Sequence, residues 1–111
     1  MTMILAHQGR GLSKDITILD ADNAAITPDD EDVVRVTIGW QGEEAKLTIT
    51  SEAPTTNGSS IIKGATQRLR LDAEDLNFDP GIYSMNVEFY DAGDEGEWKT
   101  VSRQVFALEK T

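Results

Sequence analysis

The sequence predicts an all-β protein, an antiparallel β-sandwich of about seven strands. Three observations lead to that class. Apolar and polar residues alternate with a period of two along successive segments, which puts an apolar row on one face of each. Helical periodicity is missing outside one turn after Asp72. Turn-forming residues separate the alternating segments roughly every ten residues, the spacing of a sandwich or barrel. At 111 residues the chain is sized for one domain with one core, residues 1–111.

The plainest strand lies in the second half of residues 71–91. There Tyr83, Met85, Val87 and Phe89 alternate with Ser84, Asn86, Glu88 and Tyr90. The first half of the same stretch reads as a corner. Asp72 caps a single helical turn, with Asp75 three residues on, and Leu76 and Phe78 point inward. Pro80 fixes its own φ and biases Asp79 towards an extended shape, so the turn stops there. Gly81 gives the freedom to swing into the strand. Tyr83 then follows, a ring to be buried while its hydroxyl reaches back to the turn. This arrangement of Leu76, Pro80, Gly81 and Tyr83 is the logic of the tyrosine corner of immunoglobulin-like sandwiches.

The remaining elements follow in order. Met3, Ile4 and Leu5 form a short first strand, stopped by Gln8, Gly9, Arg10 and Gly11. Residues 12–19 set Ile16 and Ile18 on one side, Thr17 and Leu19 on the other, and end in a turn at Asp20, Ala21, Asp22 and Asn23. Ile26 stands alone before Thr27, Pro28 and the acidic run Asp29, Asp30, Glu31 and Asp32, which reads as a solvated loop. Residues 33–40 make a second clear strand with Val34, Val36, Ile38 and Trp40 on one face. A tight turn at Gln41, Gly42 and Glu43 leads into Ala45, Leu47 and Ile49, completing a hairpin. Residues 51–60 are polar and read as an exposed loop, after which Ile61 and Ile62 re-enter the sheet. Leu69 and Leu71 point inward, with Arg68 and Arg70 outward. Residues 92–96 form a hairpin loop. In the last strand, residues 98–108, Val101, Val105 and Ala107 share one face and Phe106 and Leu108 the other, which calls for a bulge.

Composition narrows the chemistry. Twenty Asp and Glu against ten Lys and Arg give a formal net charge of −10, which repels phosphate backbones and disfavours nucleic acid as a partner. With no cysteine there is neither a thiolate nucleophile nor a zinc–thiolate site. His7 is the lone histidine, and no GxSxG elbow surrounds a serine, so no catalytic residue is assigned. Asp20, Asp22 and Asn23 begin like a calcium loop, but Ala24 and Ala25 stand where a ligand and a glycine are needed. Asp91, Asp94, Glu95 and Glu97 read as a solvated hairpin tip rather than a calcium site. No metal or other cofactor is expected. Residues 1–6 lack a basic n-region and a long apolar run, and no stretch has the length of a membrane span, so folding in the host cytoplasm, without a membrane partner, is expected. Trp40 is read as core. Tyr90, on the outward row, and Trp98, beside a loop, are the candidates for a contact surface, with Met3, Ile4 and Leu5.

The order of these features resembles the small immunoglobulin-like domain at the start of phage baseplate upper proteins and in related phage virion proteins. The residues that carry the resemblance are Leu71, Asp72, Glu74, Leu76, Pro80, Gly81, Tyr83, Val87, Asp91 and Gly96, and it spans residues 10–108. Unlike the baseplate proteins, the sequence carries no coiled coil or receptor-binding region, so tail, baseplate, neck and capsid-decorating positions are all open. The resemblance implies a non-enzymatic structural subunit of a virion that docks on other virion proteins and on itself in a symmetric assembly. The alternative is a free-standing immunoglobulin-like module that binds a surface or carbohydrate. A strand edge, from residues 1–6 or 99–108, is expected to pair with the neighbour, with residues 1–6 dispensable for folding.

Overall fold

The alternating segments become sheets in a computed structural model that describes residues 3–93 and 96–110. Among these residues there is no helix, and the strands are β1 (Met3–His7), β2 (Leu12–Ile16), β3 (Ile18–Leu19), β4 (Ala25–Ile26), β5 (Val33–Gly39), β6 (Leu47–Thr50), β7 (Ser60–Ile62), β8 (Gln67–Leu71), β9 (Gly81–Asp91) and β10 (Glu97–Glu109). A five-stranded sheet runs β1-β10-β9-β5-β6, a three-stranded sheet runs β2-β8-β7, and β3 with β4 makes a small ribbon. The inward rows of the two larger sheets meet in one apolar cluster. Val34, Val36, Ile38, Met85, Val87 and Phe106 supply one side, and Ile16, Ile61, Leu69 and Leu71 the other.

Alternation in the sequence reports which face is buried, and the structure follows it closely. It does not report which strand lies alongside. Residues 12–19 divide at Thr17 between β2, paired with β8, and β3, paired with β4. Ile26, expected to stand alone, pairs with Ile18. The sandwich is also not wholly antiparallel, because β1 runs parallel to β10 from the Met3–Val105 pair to the His7–Glu109 pair. The physical reason is the crossing after His7: the chain passes to the other sheet, so β1 has no hairpin partner and meets the last strand travelling the same way. The bulge called for in the last strand falls between Thr100 and Ser102. It shifts the β9–β10 register by one residue, so that Phe106, opposite Tyr83, faces the core.

The corner before β9 is built from one short turn. The Asp75 and Leu76 amides donate to the Asp72 carbonyl at 3.1 and 3.3 Å, and the Asp72 carboxylate accepts from the Glu74 amide at 3.1 Å. Leu76 is fully buried and Phe78 half-buried, its ring edge-on to Tyr83. The Tyr83 hydroxyl donates to the Asp79 carbonyl, and a side chain at Gly81 would stand 3.6 Å from the Tyr83 ring. Burial, with the nearby Asp79 charge, raises the Tyr83 pKa, so the hydroxyl keeps its proton and remains a donor.

Two polar loops prove more ordered than their composition predicts. Residues 51–60 do not simply lie in solvent. Asp75 accepts hydrogen bonds from Thr55 Oγ1 at 2.5 Å, from Asn57 Nδ2 at 2.9 Å and from the Ser59 hydroxyl, while Ser59 Oγ accepts from the Asp72 amide at 2.8 Å. Ser59 is fully buried as a result. Burial alone would raise the Asp75 pKa, but the donors Ser59, Thr55 and Asn57 outweigh it and hold the carboxyl below its ordinary 3.8. The acidic run is likewise only partly solvated. Asp32 is buried, its carboxylate accepting from the amides of Asp29 at 2.8 Å and Ala92 at 3.0 Å. Lys63 Nζ donates to the carbonyls of Asp29, Asp30 and Asp32 at 2.8–3.0 Å, so a single cation closes the turn.

Two stability measurements test this construction. Tyr83→Phe removes one hydrogen bond and is expected to cost about 0.5–1.5 kcal/mol, whereas Tyr83→Ala also opens a cavity and should cost about 3–5 kcal/mol in urea titrations. Asp75→Asn is expected to cost about 2 kcal/mol near neutral pH, because charge-assisted hydrogen bonds are lost. The sign follows from the lowered folded-state pKa. The network contributes fully above 3.8, the unfolded value, and fades as pH falls through the lower folded value. The stability gap between Asp75→Asn and the parent should therefore shrink as the pH falls below about 4.

Candidate interaction surface

The outer face of the five-stranded sheet gathers most of the sequence-predicted contact residues, in two groups. Residues paired across strands point to the same side, so the Met3–Val105, Leu5–Ala107 and Ile82–Ala107 pairs lay a continuous apolar strip over β1, β10 and β9. Met3 is 58% exposed, Leu5 47% and Ile82 64%. Ala107 is buried between the last two and lies outside the core cluster. Ile82 was missed, although the parity that turns Tyr83 inward puts it on the outward row with Tyr90.

Ile4 belongs elsewhere. It is 4% exposed and packs in the core with Ala6, because its parity along β1 turns it inward. Residues 1–6 are therefore not a dispensable arm: removing them would strip two core side chains and the whole β1–β10 ladder up to Ala6. Of the alternative edge at residues 99–108, the part from Val105 onwards is already covered by β1.

The second group lies at the opposite end of β10, seven residues from Val105 or roughly 20 Å along the strand. Trp98 and Tyr90 face each other across the β9–β10 ladder, with ring centroids 5.4 Å apart. Arg35, opposite Glu88 on the β5–β9 ladder, makes two hydrogen bonds to the Glu88 carboxylate, Nε to Oε1 at 3.1 Å and Nη2 to Oε2 at 3.0 Å. Its guanidinium also lies 3.9 Å from the centre of the Trp98 ring. The geometry is that of a cation held between a carboxylate and an aromatic face. Gly96 makes room for the neighbouring Tyr90, because a Cβ there would stand 2.5 Å from the Tyr90 hydroxyl.

Trp40 is not in the core. It follows the last residue of β5, at the end of the sandwich, and is 45% exposed. Its ring stacks on Tyr83 at 5.0 Å, its Nε1 donates to the Ile82 carbonyl at 2.9 Å, and Lys46 Nζ stands 5.0 Å from the ring centre. Inward parity was read correctly, but at a strand terminus the opposite sheet no longer extends far enough to cover the side chain.

The Asp20 segment and His7 have local partners. Asp20 Oδ1 accepts from the amides of Asp22 and Ala24, and Asn23 has φ 62°, so this segment is a side-chain-capped turn. Asp94 and Glu95 of the second acidic loop lie outside the described residues. His7 Nδ1 is 4.0 Å from Glu109 at the end of β1, with no serine in the contact.

No protein-family model matches the chain. No curated protein matches it significantly either.

The Arg35–Glu88 pair is open to a double-mutant cycle with Arg35→Ala and Glu88→Ala. Because the pair is bidentate but half-buried, a coupling of about 0.5–1 kcal/mol is expected, with much of it lost in about 1 M salt.

Proposed function

We propose that the protein is a non-enzymatic structural subunit of a bacteriophage particle, docking on other virion proteins and on copies of itself in a symmetric assembly. The observation that carries this reading is the β1 edge. Natural sheets guard their edges with charge, proline or bulges, and β1 has no Asp, Glu, Lys, Arg or Pro among its residues. Its exposed Met3 and Leu5 extend that bare edge into the apolar strip that ends on Ile82. The opposite edge strand, β6, abuts β7 of the second sheet instead. An unguarded apolar edge on a chain of net charge −10 suits a strand that is paired in its working state, the charge keeping free copies apart until they dock.

The strand order supports the immunoglobulin-like part of the reading. Setting β10-β9-β5-β6 against β2-β8-β7, with the tyrosine corner leading into β9, parallels the two-sheet division of immunoglobulin-type domains. A free-standing carbohydrate-binding module is favoured less. Such a module needs a broad aromatic platform, and each tryptophan already has one ring contact taken, Trp98 by Arg35 and Trp40 by Tyr83.

Quantitative mass spectrometry of particles purified from a culture carrying the gene tests the assignment. The chain is expected in several copies per particle. A variant with Met3→Lys and Leu5→Lys keeps the core intact, since both side chains point outward, and is expected to enter particles roughly tenfold less well. Absence of the parent chain from particles overturns the structural assignment, and normal incorporation of the lysine variant overturns β1 as the docking edge.

A further inference from the structure

Where β5 begins and β9 ends, Glu31, Val33, Glu52, Tyr90 and Trp98 line a cavity of about 310 Å³. A larger hollow of about 530 Å³ lies beside the turn at residues 28–32, but its Asp32 carboxylate is already taken by two backbone amides. The smaller cavity differs in kind. Its walls are two aromatic rings and a valine side chain, and its two carboxylates, on the exposed residues Glu31 and Glu52, make no hydrogen bond or ion pair among the described residues. Of the neighbouring acids, Glu88 is committed to Arg35 and Asp32 to its turn.

Aromatic faces flanked by unpaired anions attract a cation and repel an anion. The same Trp98 ring already takes a guanidinium, that of Arg35, which is not one of the residues lining the cavity. We propose that this notch receives an arginine side chain from a partner protein, the planar guanidinium lying against Tyr90 and Trp98 and its N–H groups donating to Glu31 and Glu52. Arginine suits the site better than lysine because its flat, weakly hydrated head stacks on rings while its fork of donors reaches two carboxylates. The net charge of −10 would steer such a basic partner towards the domain. This inference deepens the docking reading by naming the chemistry of the partner, and it rests on that reading only for where the arginine comes from.

The test uses the whole chain and the blocked peptide Ac-Gly-Arg-Gly-amide, followed by the NMR signal of the Trp98 indole N–H, assigned with Trp98→Phe. A saturable shift is expected with the arginine peptide and none with Ac-Gly-Gln-Gly-amide. A variant with Glu31→Gln and Glu52→Gln should bind about fivefold more weakly, the loss of two exposed ion pairs. A variant with Glu43→Gln and Glu44→Gln, of equal net charge but altered at the β5–β6 turn, should bind like the parent. No saturable shift, an equal response to the glutamine peptide, or equal weakening in both variants overturns the notch. Arginine binding with no chain in particles defeats the virion assignment alone, and incorporation without arginine binding defeats the notch alone.

Discussion

The burial of the Tyr83 side chain, its ring stacked on Trp40 and edge-on to Phe78 and its hydroxyl bonded to the Asp79 carbonyl, is the constraint on which the rest of the structure depends. It ties the incoming turn to the first residues of β9 and thereby sets which residues of that strand face inward. β9 is the central strand of the larger sheet, paired on one side with β5 and on the other with β10. A slip of one residue there would turn Met85, Val87 and Phe89 to solvent and bring Asn86, Glu88 and Tyr90 into the core. The same register carries the outer face, since Ile82 and Tyr90 are set on it by the parity that buries Tyr83. Core and candidate contact surface are thus two consequences of one constraint.

The two ends of β9 are also closed by polar groups rather than by apolar packing alone. Asp75 holds a ten-residue polar loop against the corner, and Lys63 holds the acidic turn through three carbonyls. In both places a group that would be costly to bury has its partners arranged around it. A chain with this excess of acid can thus afford two inward carboxylates: Asp75 and Asp32 accept from neutral donors and need no buried cation.

In the proposed docking, the outer face separates two kinds of recognition. At the β1 end, Met3, Leu5 and Ile82 offer apolar area beside a free strand edge, the chemistry of backbone pairing. At the other end, Tyr90, Trp98, Glu31 and Glu52 offer rings and charge, the chemistry of a single basic anchor. With roughly 20 Å between them along β10, one extended partner segment of about six or seven residues would be long enough to span both.

Read alone, the sequence determined the all-β class, the inward rows of the long strands, the turn at Asp20 and the corner with its buried tyrosine. Each of these depends on neighbours within a few residues, where period-two alternation and turn chemistry are written directly. Of the candidate contact residues, Tyr90 follows from that same parity and Trp98 from its place beside a loop, while Met3, Ile4 and Leu5 enter together as one apolar run, which does not say that Ile4 turns inward. The tertiary structure alone decided that β1 runs parallel to β10, that β2 and β3 part company, that Trp40 ends as a half-exposed lid on Tyr83, and that Glu31 and Glu52 meet beside Trp98. Those outcomes rest on which distant segments lie side by side. Strand partners and strand ends are set by the packing of the whole core, which no local pattern encodes.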